Sequence, residues 1–437
     1  MANLSIALDG VLQTPARMHA DPQFCGRGVT LALVDSGFYP HADLTTPRNR
    51  IRAWVDATLE PVEIRYFGQH DKPVWPNWDA CRPTQWHGMM TSVVAAGCGQ
   101  YPGLASEADV VLVQTSEAGG RILEASIERA LRWLRENAER LRLRIVNLSV
   151  VGDHPAKPGN PIDAAASALV RRGVLVVAAA GNDGIRKLLP PSTCPHVITV
   201  GGLDQNQMLW HSNYGESTSG ALKPEFVAPS IWVVAPLLPG TAQHGEAAQL
   251  FSSQDEDAIE QRNLVSPHYK LVEGTSFSAP IVASVLACMV EANPALTPDV
   301  ARQCLAHACQ PIEGAPPEQQ GLGGIDAALA VSHALRARGG AVDGYSTSPH
   351  ATSGGTVFLL RNRDAFRVQV FGSWNGWTVG LEARQVDRGV WRAAGPVFSK
   401  GRHEYKFLVD GHWLTDPANP CKAADDRGGF NSVLVTG

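Results

Sequence analysis

Residues 29–37 read VTLALVDSG, an apolar run of strand length that ends in a carboxylate and a tight turn. Four more apolar runs follow along the chain, with helical patterns between them. Together the predicted strands span residues 29–34, 109–114, 144–149, 174–180 and 197–201. Apolar strands that alternate with helices are typical of a parallel sheet covered on both faces. The sequence therefore predicts an α/β fold with a doubly wound, mainly parallel sheet.

The helical patterns between these strands lie at residues 87–96, 121–141 and 162–172. A longer helix is predicted after Ser278, because PIVASVLACMVEAN contains no helix breaker beyond Pro280, and a first helical turn tolerates proline. Since this helix is apolar on all sides, we expect it to be buried.

The composition is that of a globular protein, with 44% hydrophobic and 18% charged residues among 437. The net charge of -5 provides no basic field, so neither nucleic acid nor a membrane is an expected partner. The first residues lack a cationic start followed by an apolar stretch, so we expect a cytoplasmic location. Eight cysteines without a CxxC pair indicate reduced, mostly buried thiols, and no metal or cofactor is predicted.

The sequence changes character near residue 339. Residues 339–355 hold five glycines and few apolar side chains, which predicts a linker between a first domain at 1–338 and a second at 356–437. Short alternating segments such as FRVQVFG and HEYKFLVDG, separated by Gly, Asn and Asp, predict a small antiparallel β-sandwich in the second domain.

Three polar residues stand where an α/β sheet places its chemistry, beyond the carboxyl ends of its strands. Asp35 follows the first strand, His87 begins a helix rich in small residues, and Ser276 stands at the entrance of the long helix. Taken singly, each has a structural interpretation as a turn residue, a packed histidine or a helix cap. Together they form the set that a nucleophile, its base and an orienting carboxylate require.

Six segments give these residues a family context: VDSG, HGMMTSVVAAG, IVNLSV, VVAAAGNDG, KPEFVAPS and GTSFSAPIVAS. In this order they resemble the subtilase (subtilisin-like) serine peptidases over about residues 25–335. The resemblance implies that Ser276 is the nucleophile, His87 the general base and Asp35 the residue that orients the imidazole. It also implies that Asn182 donates a hydrogen bond to the oxyanion, with the Ser276 N–H as second donor.

The resemblance further implies a substrate-binding pocket between two strands, whose walls are Ser149, Val150, Val151, Gly152, Ala179, Ala180 and Gly181. Small residues on one wall leave room for an apolar side chain. Phe277 and Ser278 stand where the family usually has Met and Ala, and SVVG replaces a segment like SLG, so we expect activity with altered specificity. No calcium ligand set of the family can be matched.

Only 34 residues precede Asp35, so the resemblance is to intracellular or maturation-type subtilases without a long inhibitory propeptide. Two insertions, at 56–85 and 236–268, are expected near the site. Each has two open interpretations, either a rim or gate that selects substrate, or mere loop variation.

The last part of the chain, with VQVFGSWNGW, EYKFLVDGHWLTDP and GGFNSVLV, resembles the glycogen-binding module of the AMP-activated protein kinase beta subunit. The resemblance covers about residues 366–436 and implies α-glucan binding by Trp377, Lys406, Trp413 and Asn431. Trp374 and Trp391 are expected in the core. A structural or partner-docking role for the sandwich stays open.

These inferences predict a cytosolic serine endopeptidase that acts on protein or peptide substrates, with a module for glycogen or another α-glucan. Two alternatives stay open. One is a dedicated processing protease whose sandwich docks a partner, and the other is a catalytically silent glucan-binding scaffold.

Overall fold

The structure is a computed structural model. It describes residues 13–155, 157, 159–338, 341–342, 348–352, 355–362, 365–387, 389–417, 419, 422–426 and 429–436. These residues form two compact units: the first comprises residues up to Ser219 and Lys223–Leu335, and the second comprises Gly220–Leu222 and the residues from Arg336 onward.

The first unit is built on a ten-stranded sheet. In spatial order its strands are Cys309–Gln310, Gly324–Ile325, Phe226–Pro229, Ile198–Leu203, Leu175–Ala179, Leu143–Leu148, Thr30–Asp35, Asp109–Gln114, Ile51–Asp56 and Glu63–Tyr66. All neighbours pair in parallel except the outermost pair at each edge. The five predicted strands are confirmed and occupy adjacent central positions.

The first unit also contains helices, several of which pack on this sheet. They span Thr14–Arg17, Ala42–Thr45, Gln85–Ala96, Glu124–Asn137, Pro161–Val170, Ala242–Ser253, Glu256–Gln261, Thr275–Ala292, Pro298–His307, Pro317–Gln320 and Ala327–Arg336. Strands outside the sheet are Val233–Pro236, Leu264–Ser266 and Tyr269–Val272, which pair antiparallel, and the short Gly215–Glu216 and Leu222–Lys223. The predicted fold of the first domain is therefore confirmed.

The long helix differs from its prediction in one respect. It begins at Thr275 rather than after Ser278, so Pro280 lies in its second turn and Ser276 in its first. Among the described residues it is the helix long and apolar enough to cross a membrane, but 83% of it is buried inside the chain. This burial confirms its expected place in the core.

The second unit contains two antiparallel sheets. One orders His350–Thr352, Gly355–Arg361, Val390–Gly395 and Arg384–Asp387, and the other orders Leu381–Glu382, Val368–Gly372, Gly401–Val409, Phe430–Thr436 and Lys422–Ala424, with His412–Leu414 paired to Gly401–Val409. Phe358, Val370, Tyr405 and Phe407 fill the core between them, with Trp391 buried and Trp374 packed against it. The predicted β-sandwich and both core tryptophans are thus confirmed.

Much of the predicted linker at 339–355 lies outside the described residues. Within it, Ala341–Val342 pairs antiparallel with Ala337–Arg338, and His350–Thr352 pairs with Gly355–Arg361. The seven described cysteines are free thiols, of which three are buried and four half-buried, so burial is less general than expected.

Candidate active site

Asp35 is the last residue of a central strand and is fully buried. One carboxylate oxygen, Oδ1, accepts hydrogen bonds from the Ser36 N–H and from His87 Nδ1, each at 2.6 Å. The other oxygen, Oδ2, accepts from Thr91 Oγ1 at 2.8 Å. A buried carboxylate needs such donors, because leaving it without partners is costly. These contacts hold Asp35 in one orientation toward His87.

His87 lies in the first turn of the Gln85–Ala96 helix. The next residue must be glycine, because a Cβ on Gly88 would lie 2.2 Å from the carbonyl oxygen of Gly37. This close approach brings the helix to the end of the Asp35 strand. Since the carboxylate of Asp35 accepts from Nδ1, that nitrogen carries the proton, and Nε2 of the neutral ring is the basic nitrogen.

The electrostatics of His87 are a balance of two opposing effects. Burial alone lowers the pKa of His87, since a low-dielectric environment disfavours the imidazolium. The negative charge of Asp35 and its hydrogen bond outweigh burial, so the pKa is raised above the usual 6.5. The pair therefore favours a proton on His87, as a group that takes up a proton during a reaction requires.

Ser276 is the second residue of its helix, and Pro280 in the same helix affects the hydrogen bonding of the Ser276 carbonyl. Proline has no N–H, so the carbonyl of Ser276, four residues earlier, loses its helical partner. Ser149 Oγ donates to this carbonyl at 2.9 Å, and Asn147 Nδ2 in turn donates to Ser149 Oγ at 3.0 Å. The backbone of Ser276 is thereby tied to the end of a central strand.

The side chain of Ser276 points to the same cleft as His87, since both residues line two adjoining cavities. No hydrogen bond joins the Ser276 hydroxyl to a described side chain. Catalytic hydrogen bonds of free enzymes are often long and tighten only when substrate binds.

Asn182 follows the strand Leu175–Ala179 and also lines both cavities. Its Oδ1 accepts from the Thr275 N–H at 2.9 Å and from Thr275 Oγ1 at 2.8 Å. Because a backbone N–H can only donate, these contacts fix which atom is oxygen and leave Nδ2 as the free donor. The first N–H groups of a helix also lack intrahelical partners. The Asn182 amide and the Ser276 N–H are thus two donors suited to an anionic oxygen.

The first cavity, of about 770 Å³, contains Asp35, His87, Asn182 and Ser276. Five residues of the predicted specificity walls line it, namely Ser149, Val150, Val151, Ala179 and Gly181. Gly152 and Ala180 do not line it; their N–H groups donate to the carbonyls of Pro190 and Val200. The first cavity therefore brings together five of the seven predicted wall residues.

The second cavity, of about 620 Å³, shares Trp86, His87, Asn182 and Ser276 with the first. Its remaining lining residues are Ile231, Trp232, Asn263, Lys270, Leu271, Val272, Glu273 and Phe277. Sequence reasoning missed Trp86 and Trp232 as site residues. The position of Trp86 directly before His87 was the available sequence signal for it.

Phe277 and Ser278, which depart from the family pattern after the serine, are both buried. The ring of Phe277 lies 5.9 Å from that of His87, measured between centroids. Ser278 Oγ lies 2.5 Å from Ser230 Oγ, so the added hydroxyl is hydrogen-bonded.

The insertions at 56–85 and 236–268 contribute few residues to the cleft, and they differ in secondary structure. Residues 56–85 include an edge strand and Trp75, which stacks on Trp54 at 5.6 Å, and supply Pro83 and Thr84 to the first cavity. Residues 236–268 form two helices with their own apolar cluster and supply Asn263 to the second cavity. Whether either insertion selects substrate stays a prediction.

In the second unit, the predicted sugar-binding residues lie on the outer face of one sheet. The rings of Trp377 and Trp413 are 6.2 Å apart and nearly perpendicular, and Trp413 is 50% exposed. Lys406 Nζ donates to Asp425 at 2.5 Å, and Asn431 Nδ2 donates to Glu404 at 2.8 Å. Sequence reasoning missed these two carboxylate partners, which come from other strands or loops.

No group of three or more His, Cys, Asp or Glu side chains suited to a metal ion occurs in the part of the chain that the structure describes.

Comparisons with known proteins agree with this geometry. A model of the subtilase family matches residues 26–326, and a model of the glycogen recognition site of AMP-activated protein kinase matches residues 356–436. Serine protease AprX of Bacillus subtilis (strain 168) is 27% identical over 318 residues, covering 69% of this chain and 66% of AprX. Subtilisin BL of Lederbergia lenta is 25% identical over 272 residues, covering 62% of this chain and 78% of Subtilisin BL.

The chain thus spans just under two thirds of the length of AprX. Among solved structures, a protease of Pseudoalteromonas arctica overlays with a TM-score of 0.54 at 23% identity, covering 76% of this chain and 94% of that one. This last likeness supports the fold.

Proposed function

Because this chain belongs to the subtilase family, we propose that it is a serine endopeptidase that hydrolyses peptide bonds through Asp35, His87 and Ser276. One observation carries the proposal. A buried carboxylate holds an imidazole in the cleft where a helix presents a serine hydroxyl and an oriented amide donor. These are the parts that acyl transfer requires.

The reaction follows from the positions of these groups. Ser276 Oγ attacks the scissile carbonyl carbon while His87 Nε2 accepts the hydroxyl proton, and Asp35 stabilises the resulting imidazolium. The tetrahedral oxyanion accepts hydrogen bonds from Asn182 Nδ2 and the Ser276 N–H. His87 then donates its proton to the leaving nitrogen as the C–N bond breaks, which leaves an acyl-enzyme. Water, deprotonated by His87, attacks this ester and releases a carboxylic acid and free Ser276.

The substrate class is a protein or peptide, and the first cavity accepts the side chain on the acyl side of the scissile bond. Small residues such as Ala179 and Gly181 line it together with Val150. An apolar side chain at that position suits this lining.

Mapping of new N-termini after incubation of a peptide library with the full chain tests this function. A broad endopeptidase is expected to make many cuts that depend on Ser276. These cuts would share only a preferred residue next to the scissile bond. One or a few cuts would instead indicate a dedicated processing enzyme. No cut beyond those made by Ser276→Ala protein would contradict the proposal and favour a silent scaffold.

We expect the acid limb of kcat/KM to have its midpoint above pH 6.5. His87 must be neutral to accept the serine proton, and its pKa in the free enzyme is raised by Asp35. Activity is therefore lost as the pH falls through that raised pKa. A pH profile with a short peptide substrate checks this, and a midpoint well below 6.5 would show that Asp35 does not stabilise the imidazolium.

Asn182→Ala is expected to lower kcat by about 100- to 1,000-fold, a magnitude established for loss of an oxyanion donor in subtilisin. KM should change little, because the amide acts on charge that develops in the transition state. Thr275→Val removes one of the two donors to Asn182 Oδ1 and should cause a smaller loss of kcat. Equal kcat in Asn182→Ala and the parent would exclude the oxyanion role.

We further propose that the second unit binds α-glucan on the face that carries Trp377 and Trp413. The match to a glycogen recognition site and the exposure of Trp413 support this. Aromatic rings suit the apolar faces of sugars, while Lys406 and Asn431, held by carboxylates, offer polar partners for hydroxyls. In a cytoplasmic location, which is also a proposal, glycogen would be an available ligand, and binding would raise the local concentration of the peptidase on it.

Trp377→Ala combined with Trp413→Ala is expected to weaken glycogen binding at least tenfold, because each ring contributes about 1 kcal/mol or more of contact. Affinity electrophoresis in glycogen gels measures this, with the full chain in its Ser276→Ala form to prevent proteolysis. Val397→Ala removes an exposed apolar side chain of the same unit and is the matched control. Unchanged retardation of the double variant would refute the sugar assignment.

A further inference from the structure

The second cavity adjoins the catalytic groups and is separate from the predicted specificity walls. All five wall residues that line the cleft belong to the first cavity, and none belongs to the second. Both cavities share Trp86, His87, Asn182 and Ser276. If the acyl side of a substrate occupies the first cavity, the residues that follow the scissile bond lie in the second.

Trp232 in the second cavity has an unusual backbone conformation. Its φ is +55°, a left-handed value that bulky L-residues rarely adopt. Arg17 Nη1 holds this turn by donating to the carbonyls of Ile231 at 2.8 Å and Trp232 at 3.1 Å. The Gly274 N–H donates to the carbonyl of Ser230 at 2.7 Å, which ties the same turn to the segment before Ser276. A strained conformation that its surroundings enforce is a mark of a functional position.

The tryptophan rings of this cavity are not packed into the core. Trp232 is 40% exposed and Trp86 is 44% exposed. The rings of Trp86 and His87 pack edge to face, with centroids 5.2 Å apart and planes at 84°. Indole rings held half-exposed beside a nucleophile present apolar surface that a ligand can cover.

The charged side chains of the second cavity do not favour a substrate residue of either charge. Apart from the titratable His87, its charged side chains are Lys270 and Glu273, which have opposite signs. Selectivity in this part of the cleft therefore depends on the aromatic surface.

We propose that Trp86 and Trp232, the aromatic clamp, select substrates that carry a large apolar or aromatic side chain at one of the two positions after the scissile bond. This inference rests on the proposed peptidase function, since it assigns the leaving-group half of the same cleft. Covering both rings removes apolar surface from water and adds ring contacts that a glycine at these positions lacks.

Partitioning of the acyl-enzyme tests the clamp directly. An ester substrate forms the acyl-enzyme, and an added amine then competes with water for it, so the captured product reports binding on the leaving-group side alone. The amines are phenylalaninamide, glycyl-phenylalaninamide and glycinamide. We expect at least one phenylalanine-containing amine to be captured about tenfold more efficiently than glycinamide. Trp86→Ala with Trp232→Ala should reduce that ratio about tenfold.

Because the ratio compares two amines on the same variant, changes in the overall rate cancel. Met208→Ala is the matched control, since Met208 is exposed and lines neither cavity. Equal capture of all three amines by the parent, or an unchanged ratio in the double variant, overturns the clamp and leaves the peptidase function standing. Failure of the parent to hydrolyse the ester overturns the peptidase function and the clamp with it.

Trp232→Gly separates a ligand-binding role from a structural one. Glycine adopts the left-handed backbone without strain, which offsets part of the lost indole burial, so the thermal midpoint should fall little while the capture ratio falls. A marked drop in the midpoint with an unchanged ratio would show that the indole serves the fold, and would overturn the inference.

Discussion

Ser276→Ala is expected to lower kcat for peptide hydrolysis by about 10⁶-fold, the scale found when the nucleophile of a subtilisin is removed. The hydroxyl oxygen is the atom that attacks the substrate, so its removal prevents formation of the acyl-enzyme on Ser276. Stability should hardly change, since the Ser276 hydroxyl has no hydrogen bond to a described side chain. Initial rates and thermal midpoints of parent and variant measure both effects.

Ser284→Ala is the matched control for this variant. Ser284 lies on the same helix, donates to the carbonyl of Ile281 and lines neither cavity. Its loss should leave kcat within about twofold. A Ser276→Ala protein that retains a substantial part of the parent activity would show that another group is the nucleophile.

Asp35→Asn is expected to lower kcat by about 10⁴-fold at neutral pH. An amide at this position can donate to Nδ1 and stabilise the wrong tautomer, which would place the proton on Nε2 and remove the base. The pKa of His87 should also fall, because burial lowers it and the opposing carboxylate charge is gone. The acid limb of kcat/KM should therefore move to lower pH.

The pH profile of Asp35→Asn measured beside that of the parent distinguishes this explanation from general damage. Asp35 is fully buried with three hydrogen-bond donors, so loss of structure is checked by the thermal midpoint. A folded variant with lower activity and an unmoved acid limb would contradict the electrostatic role assigned to Asp35.

The central sheet was predictable because its strands are continuous apolar runs, which parallel strands buried on both faces require. The strand Ile51–Asp56 was missed because IRAWVD includes two charged residues, which a position next to the edge of the sheet tolerates. Phe226–Pro229 was missed because it is short and contains a proline. Placing Pro280 in a first turn was wrong, because the helix begins at Thr275 and not after Ser278.

The catalytic residues were predictable because each stands in a local context of small residues. The second cavity was not, since Trp86 and Trp232 are far apart in sequence and line the same cavity only through the fold. The positive φ of Trp232 has no sequence signal, because tryptophan does not favour that conformation. In the sandwich, the partners of Lys406 and Asn431 depend on strand register, which alternation alone does not give.

The central claim is that Asp35 and His87 activate Ser276 as a nucleophile. Labelling of the purified full chain with a fluorophosphonate, followed by peptide mapping, tests it most directly. We predict one phosphonate adduct on Ser276, lost in Ser276→Ala and much slower to form in Asp35→Asn. Folded protein that takes up no label, or takes it up at another residue, would contradict the claim.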